Sequence, residues 1–340
     1  MRKITKATLV FIGILVLAFL MGPKPTHDGV FVKPLPEVPA EMEALNAFVE
    51  AAEDQIPNIR PNSRSKIIFA DSIPKKTPYS VVYFHGFTAT SKEGDPFHLD
   101  VAKGLGANLY LPRFYNHGLQ EEEPMLNFNL EAYLESAREA LAIASRLGEK
   151  VIILATSNGA TLALTLGDLP QVAAMGLYSP NIKMKDPRAF IATLPWGVYL
   201  LRAVFGGDYF YLGQMTPAKK EYWTWKVRLE AGIDFQYFLE TAMTKTTFSK
   251  IKVPVYMGYY YKNDSLQDNT VRVEDMLVMF DQLGTPTALK KKQAFPEAAD
   301  HVLTSYLSTH IYPEVTEATL DFLKHQLALP IVSKEILANE

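Results

Sequence analysis

An α/β fold with a mostly parallel central sheet, helices on both faces and a helical insertion is what this chain of 340 residues predicts. Three observations carry that expectation. Short apolar runs at 79–84, 108–111, 151–155, 172–178 and 253–261 recur between stretches of helical periodicity. Runs of that length and composition read as strands buried on both faces, as in a parallel sheet. At 151–166 strand gives way to helix across only Thr156, Ser157 and Asn158. From 181 to 250 the strand pattern stops and helical stretches crowded with aromatic residues replace it.

Composition bounds the function classes. A hydrophobic fraction of 48% is enough for a sizeable core, so the chain reads as globular. A net charge of −3 gives no electrostatic footprint for nucleic acid. The chain has no cysteine, which excludes disulfides, thiolate metal sites, a cysteine nucleophile and cysteine lipidation. The histidines at 27, 98, 117, 310 and 325 show no metal-ligand spacing, and the chemistry read below needs neither metal nor cofactor.

Taken in order, residues 1–25 read as a targeting segment. Arg2, Lys3 and Lys6 precede an apolar run at 7–22, and Pro23 and Pro25 follow. A helix of that run would span about 24 Å, short of a bilayer core of about 30 Å. The run ends Leu20-Met21-Gly22-Pro23 without an A-x-A-like site, so an uncleaved signal-anchor is expected, with a cleaved signal peptide as the alternative. Either way the basic flank stays inside and the rest lies outside the cytoplasm. Residues 26–65 read as a proline-rich linker, an amphipathic helix at 40–55 and a loop. The main domain spans 66–330. It opens with a strand candidate at 66–70 and a clearer one at 79–84, which runs into His85-Gly86-Phe87.

A helix is expected at 96–105, a strand at 108–111, then the loop Pro112 to Leu119, in which His117 is read as a structural turn residue. A long amphipathic helix at 130–147 ends at Gly148 and leads into the strand 151–155, as in a βαβ unit. The turn at Ser157 is abrupt, so its flanks must be small where strand and helix backbones nearly touch. Ala155 and Gly159 meet that need. Helical stretches at 188–204, 218–229 and 235–246 make up the insertion. The sheet resumes at 253–261 and is followed by a polar loop carrying Asp264 and Asp268, a helix at 273–283, a last strand at 287–295, and His301.

These pieces together resemble the α/β-hydrolases. The Ala155-Thr156-Ser157-Asn158-Gly159 turn resembles their nucleophile elbow, with Ala155 in place of the usual first glycine. The strand ending in His85-Gly86-Phe87 resembles their oxyanion loop. Asp268, three residues before Val271 and ahead of a helix, matches the triad acid, and Asp264, nearer the strand end, is its rival. His301 after the last strand completes the order Ser, Asp, His that marks this fold. The likeness covers about 66–327 and is greatest to the lysophospholipase and monoacylglycerol-lipase branch, which is grouped with serine aminopeptidases.

The resemblance implies a nucleophile at Ser157, a base at His301 and an acid at Asp268, with the N–H groups of Phe87 and Asn158 as oxyanion donors. It also implies that 181–250 is a lid. The expected substrate is a carboxylic ester with an apolar acyl group. An amide or aminopeptidase substrate is the alternative, for which Glu221, Glu230 and Asp234 are candidates to hold an amine. A hydrolase scaffold that only binds is the reading from a different class.

Overall fold

The computed structural model describes residues 6–26, 34–213 and 215–328. Arg2 and Lys3, part of the linker and the last two residues of the 66–330 domain lie outside them. Helix α1 (Lys6–Leu20) is apolar and exposed along its length. No helix among the described residues is long and apolar enough to cross a membrane. Helix α2 (Met42–Asp54) packs Leu45 and Val49 into the core, as its amphipathic spacing requires.

The sheet is built from β1 (Lys66–Ile68), β2 (Thr77–Phe84), β3 (Asn108–Leu111), β4 (Gly148–Thr156) and β5 (Val172–Tyr178). Helix α3 (Phe97–Leu105) precedes β3, α4 (Leu130–Leu147) precedes β4, and α5 (Asn158–Leu166) follows it. The segment between β5 and the next sheet strand holds α6 (Gly197–Phe205), β6 (Tyr209–Tyr211), α7 (Pro217–Tyr222), β7 (Lys226–Arg228), α8 (Leu229–Ala242) and α9 (Lys245–Lys250). Strand β8 (Val255–Tyr259) returns to the sheet, and a small hairpin of β9 (Tyr261–Asn263) and β10 (Leu266–Gln267) leads to α10 (Val273–Gln282). Strand β11 (Lys290–Ala294) and α11 (Tyr312–Gln326) complete the domain.

The seven-stranded order is β1-β3-β2-β4-β5-β8-β11. Only β1 runs antiparallel to its neighbour; the other pairings are parallel. The apolar runs of the central strands are buried on both faces because helices cover each. On one face α4, α5 and α10 pack with α2 into a core that includes Leu141, Ile153, Leu162 and Met276. On the other α3 and α11 pack Phe97, Val101, Val315 and Leu323 against Ile152 and Leu154. Strand order reverses beside β4, so its C-terminal end lies at the crevice where open α/β sheets place their ligands.

The insertion departs from an all-helical reading. Its β6 and β7 form an antiparallel hairpin pairing Tyr209 with Arg228 and Tyr211 with Lys226. The cations lie over aromatic faces, with Lys226 Nζ 3.8 Å from the centre of the Tyr209 ring. The last strand is also shorter than expected, because Thr287–Leu289 forms a 3-10 turn before β11 begins.

Candidate active site

Ser157 sits between β4 and α5 with φ 55° and ψ −114°. A non-glycine residue there is strained by about 1–3 kcal/mol and persists only where its surroundings hold it. Here the backbone is tied on both sides. Ser157 N–H donates to Tyr178 O at 2.9 Å, and Ser157 O accepts from the N–H groups of Ala160 and Asn181, each at 3.1 Å. Glycine is required at 159, because a Cβ on that residue would lie 1.9 Å from Phe84 O. The small residue read from the sequence is what lets α5 start against the end of β2.

Asp268 and His301 meet. Asp268 Oδ2 accepts from His301 Nδ1 at 2.6 Å, while Oδ1 accepts the backbone N–H groups of Thr270 at 2.8 Å and Val271 at 3.1 Å. These contacts fix the carboxylate's direction. Val271 is fully buried beneath the loop. Asp264 is elsewhere, exposed and accepting from the Tyr261 hydroxyl at 2.8 Å. Burial alone would raise the Asp268 pKa, but the His301 charge and the three hydrogen bonds outweigh it and leave it below the ordinary value. Burial likewise lowers the His301 pKa, yet Asp268, with help from Asp300 and Glu93, brings it above 6.5.

Ser157 and His301 line one cavity of about 570 Å³. His301 Nε2 has no hydrogen-bond partner there, and neither the Phe87 nor the Asn158 backbone N–H has an acceptor among the described residues. Phe87 and Asn158 line the same cavity as Ser157 and His301. The insertion supplies much of its wall, apolar at Ala192, Leu201, Phe205, Phe210, Leu229 and Phe235 and polar at Asp186, Arg188, Lys219 and Gln236. Three of the contacts that hold the insertion lie at the site itself. Phe235 stacks on Phe87 at 4.7 Å between ring centres, Thr224 N–H donates to Thr88 O at 2.8 Å, and Lys219 Nζ pairs with Asp300 Oδ2 at 2.8 Å.

No protein-family model matches the chain, and no curated protein matches it. Solved structures do. A metagenome-derived lipolytic enzyme from work on LipS and LipT aligns with TM-score 0.64 at 15% identity, covering 79% of this chain and 100% of that one. A monoacylglycerol lipase from Paleococcus ferrophilus aligns with TM-score 0.56 at 16% identity, over 77% of this chain and 98% of that one. Est1E from Butyrivibrio proteoclasticus, with ferulic acid bound, aligns with TM-score 0.50 at 17% identity, over 78% and 95%. The chain has the α/β-hydrolase fold. At these identities the likeness is one of architecture.

Within this α/β-hydrolase fold the remaining candidates separate clearly. His117 is buried, stacks on Tyr133 at 5.3 Å and lies outside the cavity. Glu221, Glu230 and Asp234 do not line the cavity either, and Glu230 is paired with Arg202 and Arg228. The carboxylates that do line it are Glu93, Asp186 and Asp300. Asp186 pairs with Arg188, and Asp300 with Lys219. Glu93 is the residue the sequence reading missed. The polar run Ser91-Lys92-Glu93-Gly94 looks like a solvated turn, and nothing in its composition shows that Glu93 is buried against Gly86. No group of His, Asp and Glu among the described residues has the arrangement of a metal site.

Proposed function

We propose that the chain is a serine hydrolase that cleaves carboxylic esters through an acyl-enzyme on Ser157. The observation that carries this reading is the shared cavity. Its lining includes both a strained serine and a histidine whose Nδ1 is bonded to a buried aspartate and whose Nε2 is unpaired. A serine hydroxyl is too weakly acidic to attack near neutral pH unless a base takes its proton. His301 Nε2 would accept that proton as Ser157 Oγ adds to the acyl carbon. Asp268 would hold Nδ1–H in place, setting the tautomer and stabilising the imidazolium. The Phe87 and Asn158 N–H groups would stabilise the oxyanion, each worth roughly 3 kcal/mol of barrier. His301 would then protonate the leaving alcohol, and water would release the acid by the same steps.

The apolar wall supports an acyl chain in the insertion, which would act as a lid. The ester reading is preferred to the aminopeptidase one because each cavity carboxylate already has a partner within the fold. Asp186 and Asp300 have cationic partners, and Glu93 is taken up by Gly86 N–H. A panel of short p-nitrophenyl esters, a monoacylglycerol, a lysophospholipid and an aminoacyl anilide tests this. Turnover of the esters with at least tenfold lower kcat/KM on the anilide is expected. Preference for the anilide would move the reading to an amidase, and no turnover of any compound would favour a binding protein.

The N-terminal segment is read as an uncleaved anchor that keeps the enzyme at the outer face of a membrane. Its support is the unbroken apolar run of α1 from Leu9 onward and the basic residues ahead of it. The full chain is expected to sediment with membranes and to keep its first residues. Mature protein that begins beyond Gly22 and stays in the supernatant would instead mean a cleaved signal peptide.

A further inference from the structure

We propose that Glu93 is a positioning residue that aims the oxyanion loop and ties it to the loops carrying the nucleophile and the base. The proposal rests on the serine-hydrolase reading above. Glu93 lies in the 3-10 turn Ser91–Gly94, between the oxyanion loop and α3, and its side chain is almost wholly buried. Its Oε2 accepts the Gly86 N–H at 2.7 Å and the Tyr83 hydroxyl at 3.1 Å. The same hydroxyl lies 2.9 Å from Thr156 Oγ1 and 3.2 Å from Thr304 Oγ1, and those two oxygens are 3.2 Å apart. A phenol has one proton to give and lone pairs to accept with, so Tyr83 can serve all three oxygens at once.

The sequence positions of these partners give the network its meaning. Gly86 immediately precedes Phe87, Thr156 immediately precedes Ser157, and Thr304 follows His301 by three residues. One buried carboxylate thus reaches, directly or through Tyr83, the residues next to Phe87 and Ser157 and one three positions after His301. The packing leaves no slack, since a Cβ on Gly86 would come within 2.9 Å of Glu93 Oε1 and 3.3 Å of Ser157 Cβ.

A buried carboxyl is costly unless its lone pairs are occupied, so its presence here calls for a reason beyond packing. Burial pushes the Glu93 pKa up to about 7, against the pull of Gly86 N–H, the His301 charge, Tyr83 and Lys219. The groups facing it are Tyr83, Tyr133, His301, and Lys219 with its partner Asp300. Because the folded pKa lies above the ordinary value, Glu93 supports folding most below about pH 4.5. That support is lost as pH rises through 7.

The test compares Glu93→Ala with Glu93→Gln in the full chain, using a short p-nitrophenyl ester. Without its acceptor, Gly86 N–H loses its anchor and the Phe87 N–H is misaimed. Misplacement of about 1 Å costs on the order of 10²-fold in rate. Glu93→Ala is therefore expected to lower kcat about 10- to 100-fold with KM within about threefold. Glu93→Gln keeps an oxygen for Gly86 N–H and is expected to recover kcat to within about fivefold of wild type. It also lacks the titration, so its melting temperature should gain on wild type between pH 5 and pH 8. Wild-type kcat in a folded Glu93→Ala protein would overturn the proposal, as would a Glu93→Gln protein as impaired as Glu93→Ala. If Glu93→Ala does not fold, Glu93→Gln decides alone: kcat within about fivefold of wild type supports the proposal, and a larger loss overturns it. An active wild type with indifferent variants overturns this inference alone. A wild type inactive on every ester overturns the parent reading and this one with it.

Discussion

Ser157→Ala is expected to abolish ester turnover, by roughly 10⁶-fold in kcat, while leaving the fold unchanged. Both halves follow from the geometry of the elbow. The strain at 157 lies in the backbone, and alanine carries the same Cβ through the same φ of 55°. The hydrogen bonds that hold residue 157 in the fold are made by its backbone N–H and C=O, which alanine keeps. Among the described lining residues the threonine hydroxyls have no histidine beside them: Thr88 Oγ1 is buried and unpaired, and Thr270 Oγ1 donates to Asn269 Oδ1. Circular dichroism and p-nitrophenyl acetate hydrolysis together check this. A folded variant that keeps more than about a hundredth of wild-type turnover would contradict it.

Asp268→Asn is expected to lower kcat by about 10⁴-fold, and Asp264→Asn by less than tenfold. The reason lies in the donors around Asp268. Oδ1 is held by the N–H groups of Thr270 and Val271, so an asparagine would keep its carbonyl oxygen there. Its NH₂ would then face His301 Nδ1. That nitrogen would have to accept, the proton would sit on Nε2, and the base would be lost. Asp264 meets only a tyrosine hydroxyl in solvent, so amidation there changes little. The pH profile adds a second check. Wild-type kcat/KM should rise with pH as His301 loses its proton, with a midpoint above 6.5 because Asp268 raises that pKa against burial. In Asp268→Asn the midpoint should fall, since burial is then opposed only by the smaller pull of Asp300 and Glu93. The reverse ranking of the two variants, with both folded, would move the acid to Asp264.

Much of this was legible in the sequence because the pieces are local. The strand-to-helix turn at 156–158 needs small neighbours, and Gly159 shows why, lying hard against Phe84 O. The central strands announce themselves because both faces are buried, which forces continuous apolar runs. Edge strand β11 reads Lys-Lys-Lys-Gln-Ala, and only its place before His301 marks it as sheet. The β6–β7 hairpin was illegible for a related reason. Three-residue strands of aromatic and basic residues have no period to detect, and their pairing is made by partners fifteen or more residues away. Glu93 shows the same limit at the site. It is buried against Gly86 and Tyr83, and burial of one glutamate in a polar run is a tertiary fact.

Asp268 stood out from Asp264 through its distance to Val271 and its place ahead of a helix, and the structure shows the physical content of that spacing. Val271 is buried, and its N–H and that of Thr270 reach back to the carboxylate. The spacing is that of a tight turn whose side chain caps its own backbone, which leaves Oδ2 for the imidazole.

The most direct test of the central claim is where a covalent adduct forms on the unmodified chain. Wild-type protein treated with a fluorophosphonate and digested should carry one phosphonyl group, on the peptide containing Ser157, with labelling slowed at low pH as His301 becomes protonated. An adduct that maps to another residue, or a folded protein that takes no label while it hydrolyses esters, would contradict the account.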